Sequence, residues 1–199
     1  MNGTTVFFDL ETGGVEPHHP NIQIAAVAVK GWKEVEAFER KIRFEPSKCD
    51  PEALVLNGFR EADWRENAVP ERDAMVAFDE FCWRHGDLRL VSARTGRPYT
   101  MARLAGHNVA AFDVPRLRSA MERAGVGFMR GCWWYPLDTL QRALWHFTER
   151  GLQAPENFKL QTLAQHLGIP AQGAAHEALA DVRLSVLVAK SILTADVPV

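Results

Sequence analysis

The chain has 199 residues, 47% of them hydrophobic and 24% charged, and 23 Lys and Arg stand against 25 Asp and Glu for a net charge of −2. These values describe an ordinary globular protein with a sizeable core and exclude a disordered chain. They also exclude a general basic surface that coats nucleic acid, so any such contact has to be local.

The first residues, MNGTTVFFDLE, contain no basic segment ahead of a long apolar stretch, and no run approaches the roughly 18 apolar residues of a membrane span. A cytoplasmic location without a membrane partner is expected. Cys49, Cys82 and Cys132 are spaced for neither a disulfide framework nor a CxxC metal site, and read as reduced thiols.

Along the chain, Thr4 to Leu10 is an apolar, aromatic-rich run closed by Thr12-Gly13-Gly14, the pattern of a buried strand and its turn. Ile22 to Val29 and Glu36 to Phe44 read as the next two strands, the latter an outer one with a wet face, so the sheet opens as an antiparallel meander. From about residue 51 the chain turns helical. Apolar residues at three- and four-residue spacing mark helices near 73–84, 114–124, 138–149, 159–167 and 177–193. Leu104 to His107 and Cys132 to Trp134 read as short strands between them, with Trp133 and Trp134 in the core. The expected fold class is α/β: an antiparallel meander followed by parallel strands in one mixed sheet flanked by helices. No linker divides residues 1–199, which read as one domain, with 88–103 around Thr95-Gly96-Arg97-Pro98 as an inserted loop or hairpin.

Two weak signals are set aside. Gly125-Val126-Gly127 has Arg130 where a dinucleotide fingerprint has its third glycine, and it follows a helix rather than a strand. His18 and His19 lie in a Pro-flanked turn and read as surface residues.

Asp9 and Glu11 interrupt an apolar strand, where an uncompensated carboxylate costs several kcal/mol. Positions i and i+2 of a strand share a face, so the two acids are able to share one cation or a pair. Alone, they also fit a strand end that reaches water. Asp113 precedes Pro115 at a helix start and suits a cap; Asp181 sits early in an apolar helix and suits a surface position.

Taken together, FFDLETGG, GHNVAAFDVPRL and HEALADVRLSV resemble the three motifs of the DEDDh (DnaQ-like) 3′→5′ exonucleases, of the ribonuclease H-like superfamily. The resemblance extends to Pro51-Glu52-Ala53, Pro136 to Leu140 and Lys159 to Leu163. It extends also to Asn57-Gly58-Phe59, where the family commonly has His-Gly-Ile. It implies a ribonuclease H-like sheet and a nuclease in which Asp9, Glu11, Asp113 and Asp181 hold two divalent cations, Mg²⁺ or Mn²⁺, with His176 as general base. It implies release of nucleoside 5′-monophosphates from the 3′ end of single-stranded nucleic acid, DNA before RNA. It also places Thr12, Gly13, Leu54, Phe59 and Asn108 near the terminal nucleotide, Leu54 and Phe59 fitting a plain core equally well.

Arg84, Arg89, Arg94, Arg97, Arg103, Arg116, Arg118 and Arg123 fit either a phosphate track or a solvated basic face. An RNA-directed exonuclease is the alternative within the same class, and a proofreading subunit acting mainly through a DNA polymerase partner the alternative from another; a homodimer mate is the other candidate protein partner. Five residues separate His176 from Asp181, which within one helix turns them roughly 140° apart. His176 is therefore expected on a flexible loop over 170–175 or at the very start of the helix.

Overall fold

The computed structural model describes residues 3–127, 130–170 and 177–195. Strands β1 (Thr4–Thr12), β2 (Asn21–Lys30) and β3 (Lys33–Lys41) form the antiparallel meander. Three short or medium helices follow: α1 (Pro51–Leu56), α2 (Glu61–Asn67) and α3 (Glu71–His85). Then come β4 (Leu88–Val91), β5 (Pro98–Gly106), α4 (Asp113–Arg123), β6 (Cys132–Asp138), α5 (Thr139–Glu149), α6 (Leu160–His166) and α7 (Ala178–Ala195). The six-stranded sheet runs β3-β2-β1-β5-β4, with β6 also on β5; β5 is parallel to both β1 and β6. The mixed sheet expected from the sequence is thus present, and among the described residues no helix is long and apolar enough to cross a membrane.

Strand alternation decides which side chain meets which layer. Val6, Phe8 and Leu10 of β1, with Ile24, Ala26 and Ala28 of β2, pack against Phe78 of α3 and Leu117 of α4. Phe7, Ala25, Val27 and Val29 point the other way, onto Ala178, Val182 and Val186 of α7. Asp9 and Glu11 continue the alternation begun by Phe7, so they project on the side that α7 covers. Helix α7 is apolar nearly all round because its far side, through Leu184, Val188 and Ile192, is covered in turn by Ala143 and Phe147 of α5 and Leu163 of α6.

Three segments differ from expectation. The third strand starts at Lys33 and ends at Lys41, since Phe44 leaves the sheet to join a satellite cluster around Ile22, Trp64 and Ala68. Strand β5 starts at Pro98, not Leu104: its first half pairs with β4 as a hairpin over 88–101, and only its second half lies beside β1. The tryptophans are on a strand but not in the core. Between Arg103 and Ala105, β6 advances from Trp133 to Leu137, and this bulge leaves Trp134 40% and Tyr135 63% exposed.

Candidate active site

The carboxyl ends of the parallel strands β1, β5 and β6 meet at one edge of the sheet. There Asp9, Glu11, Asp113 and Asp181 line a single cleft of about 210 Å³, together with His107, Asn108, Phe112 and Leu160. Three distant stretches of sequence supply the four acids, as the motifs imply. Glu11 and Asp113 are buried, whereas Asp9 and Asp181 are half-buried.

Asp113 does not cap its helix; Phe112 holds the cap position, without a side-chain bond. Its Oδ1 instead accepts the Leu10 N–H at 3.0 Å, tying α4 to β1. Gln161 Nε2 donates to Asp181 Oδ1 at 2.6 Å. Among the described residues, no three His, Cys, Asp or Glu side chains stand as a ready-made ligand group in this conformation.

The acids raise one another's proton affinity. Burial, then the Asp181 carboxylate, pushes Asp9 up from 3.8 to about 7. Burial, then Asp9 and Asp181, pushes Glu11 up from 4.5 to about 8. Burial drives Asp113 well above the usual carboxylate range and Asp9 adds to it, against the opposing Leu10 N–H.

The loop after β5 is held by Asp138, which the sequence reading left without a role. Its Oδ1 accepts Asn108 N–H at 3.1 Å and Leu140 N–H at 2.9 Å, and its Oδ2 accepts Ala110 N–H at 2.9 Å. One carboxylate thus caps α5 and fixes Asn108, whose φ of 61° is left-handed. An Asp directly before the apolar-periodic run of α5 was the signal for it. His107 faces the Phe158 carbonyl through Nε2 at 2.8 Å and Thr139 Oγ1 through Nδ1 at 2.9 Å. A carbonyl only accepts, so Nε2 carries the proton and Thr139 donates to Nδ1; burial lowers the ring's proton affinity, in keeping with a neutral ring. Gly106 is required by close approach: a Cβ there would lie 2.6 Å from the Phe8 carbonyl oxygen.

The other wall begins where β1 ends. Thr12 Oγ1 donates to the Gly14 carbonyl at 2.8 Å, and Asn57 Nδ2 donates to the Thr12 carbonyl at 2.9 Å, fastening α1 to the strand. Asn57 therefore has a structural bond of its own where the family commonly has His. A Cβ on Gly13 would lie 2.4 Å from Cys49 Sγ, so only glycine fits. Leu54 and Phe59 are half-buried in the satellite cluster, Phe59 stacking edge-on with Phe44 and Trp64. Val55 and Leu56 on the same short helix are 82% and 56% exposed. Three consecutive apolar residues on one helix cannot all face the core, a signal the sequence reading passed over.

Most of the eight arginines are already engaged. Arg84 pairs with Glu36, Arg103 with Asp87, Arg118 with Glu122 and Arg123 with Glu71. Arg116 donates to the carbonyls of Gly14, Val15, Glu16 and His19 and lies over the Phe112 ring at 4.4 Å. It pins the loop after Gly13. Arg89, Arg94 and Arg97 remain on the exposed β4–β5 hairpin. His176 lies outside the described residues.

No family model and no curated protein matches the sequence. Solved structures do match in shape. E. coli exonuclease I in complex with a dA16 oligonucleotide superposes with a TM-score of 0.75 at 21% identity over 98% of this chain and 42% of that one. The zinc-bound E. coli exonuclease I complex with single-stranded DNA gives 0.74 at 20% identity over 98% and 41%. A product-bound exonuclease I gives 0.73 at 20% identity over 98% and 44%. The chain spans about two-fifths of the length of these proteins. Its six-stranded mixed sheet with flanking helices is the ribonuclease H-like fold of exonuclease I.

Proposed function

We propose that the chain is a metal-dependent 3′→5′ exonuclease that hydrolyses the terminal phosphodiester bond of single-stranded DNA and releases nucleoside 5′-monophosphates. The convergence of Asp9, Glu11, Asp113 and Asp181 in one cleft carries this reading. That the fold is shared with exonuclease I structures described as complexes with DNA oligonucleotides supports it, as does the zinc-bound member among them.

The donor set fits hard divalent cations. All four side chains offer oxygen, and the burial, and after it the mutual repulsion, that raises the proton affinities of Asp9, Glu11 and Asp113 is what a cation offsets. Two Mg²⁺ or Mn²⁺ ions, when bound, would supply charge neutralisation at the attacking and leaving oxygens. Asp9 and Glu11 offer their carboxylates from one strand face; the Leu10 amide and Gln161 aim Asp113 and Asp181.

His176 takes the proton of the attacking water as its oxygen bonds to phosphorus; the 3′-oxygen leaves with the P–O bond's electron pair and is then protonated from solvent. The Thr12-Gly13 backbone, Leu54, Phe59 and Asn108 border the terminal nucleotide, where stacking and apolar contact hold a single strand.

Matched 5′-labelled DNA and RNA strands, single and duplex, test the reading. Stepwise shortening from the 3′ end, fastest on single-stranded DNA, is expected. Internal cuts, or shortening from the 5′ end, would refute it; preference for RNA would move the substrate to RNA and leave the site unchanged.

A further inference from the structure

A second cavity opens beside the first. It is a groove of about 810 Å³ between α4, the loop after Gly13 and the segment following β3, and Phe112 lines both cavities. Its volume falls in the range of small-ligand sites. Asn21 lies on its floor, only 3% exposed, with Oδ1 making no hydrogen bond among the described residues. A buried amide oxygen left this way is costly, and a ligand N–H entering the groove removes the cost.

Phe44 and Phe112 give the groove two aromatic walls. Of its cations, Lys48 and Arg123 are neutralised by Glu45 and Glu71. Arg43 and Arg116 spend their donors on backbone carbonyls and enter no ion pair among the described residues; the Arg116 charge already faces Asp113 and Glu16, which leaves that of Arg43 for an anion. Aromatic walls, a buried amide and the Arg43 guanidinium, with Arg116 beside it, together match a base joined to a phosphate.

We infer that this groove binds a nucleoside phosphate, namely a nucleotide of the bound strand on the 5′ side of the scissile bond. Phe44 and Phe112 contact the base, Asn21 meets its polar edge, and Arg43 and Arg116 face the phosphates. The assignment to a strand rests on the exonuclease reading; the nucleoside phosphate chemistry does not.

Ser119→Trp tests it, because Ser119 is exposed on α4 and lines the groove, so the indole fills the space without touching the acids. Binding of fluorescent thymidine monophosphate, dinucleotide and hexanucleotide is measured in Ca²⁺, with hydrolysis in Mg²⁺. The expected result is a hexanucleotide affinity lowered about tenfold or more, with the dinucleotide bound and cut as by the parent. Arg43→Gln, a rim change, is expected to lower the slope of log affinity against log salt by about one contact's worth, roughly 0.7.

Equal hexanucleotide binding by parent and Ser119→Trp overturns the groove. A loss confined to free thymidine monophosphate overturns its assignment to the strand. A parent that cuts nothing, with the hexanucleotide loss intact, overturns the exonuclease reading and leaves the groove standing.

Discussion

The Asp113 carboxylate accepts the Leu10 amide at 3.0 Å, joining the second motif to the first across 103 residues. The bond makes a buried acid part of β1's own hydrogen-bonding pattern. Asp113→Asn retains an oxygen for that amide while removing a charge. Turnover is expected to fall by 10²-fold or more, about what a loss of transition-state charge stabilisation costs. The melting temperature without divalent cations should be equal or higher, since repulsion among the acids is relieved. A lower melting temperature with unchanged turnover would make Asp113 a structural residue.

The raised proton affinities set a pH dependence with a definite sign. Asp9 and Glu11 hold their protons in the folded protein up to about 7 and about 8. Unfolded, they release them near pH 4. Stability of the metal-free protein is therefore fully present below about pH 4 as far as these groups are concerned, and falls as pH rises through the interval from 4 to 8. Chelated protein should melt at lower temperature at pH 8 than at pH 5.5, and Mg²⁺ should narrow the gap. Asp9→Asn should flatten the profile, gaining about 1–3 kcal/mol at pH 8. Thermal melts across pH, with and without chelator, read this directly; a metal-free melting temperature that rises from pH 5.5 to 8 contradicts it.

Gln161 holds Asp181 through a 2.6 Å bond and was not singled out in the sequence. Partners that orient a metal ligand commonly govern affinity by 10- to 100-fold. Gln161→Ala is expected to weaken Mn²⁺ binding by about tenfold, as measured by titration calorimetry, with turnover recovering as Mn²⁺ is raised. If the loss of turnover persists at saturating Mn²⁺, Gln161 acts on the strand instead of on Asp181.

The layers of the fold were legible because periodicity reports burial: the β2 run, buried on both faces, and the apolar α7 were both placed close to their observed bounds. Each acid alone had an ordinary reading, a strand end, a cap or a surface position, and only the resemblance of three segments to the DEDDh motifs grouped the four. What holds them was less legible. Asn57 on the Thr12 carbonyl, Arg116 on four loop carbonyls and Asp138 on two loop amides are side-chain bonds to backbone, and their partners depend on tertiary approach and not on spacing. The β5 start was missed because its exposed hairpin arm carries a turn sequence that masks one continuous strand.

His176 is proposed as general base. His176→Ala is expected to lower turnover by about 10²-fold or more. Binding of a strand in Ca²⁺ should be retained. The parent's rate should fall below about pH 6.5 as the imidazole gains a proton and can no longer accept one. Comparable rates for parent and variant across pH 6 to 9 would remove His176 from the mechanism.

Asp9, Glu11, Asp113 and Asp181 are proposed to form one divalent-cation site that hydrolyses a strand from its 3′ end. The most direct measurement compares the parent with Asp9→Asn on a 5′-labelled single strand, in Mg²⁺ and in chelator, alongside Mn²⁺ titration of both proteins. The expected result is 3′-end shortening by the parent in Mg²⁺ alone, none by Asp9→Asn, and Mn²⁺ binding that the substitution weakens. Hydrolysis that survives chelation, or an Asp9→Asn protein with the parent's rate, would contradict it.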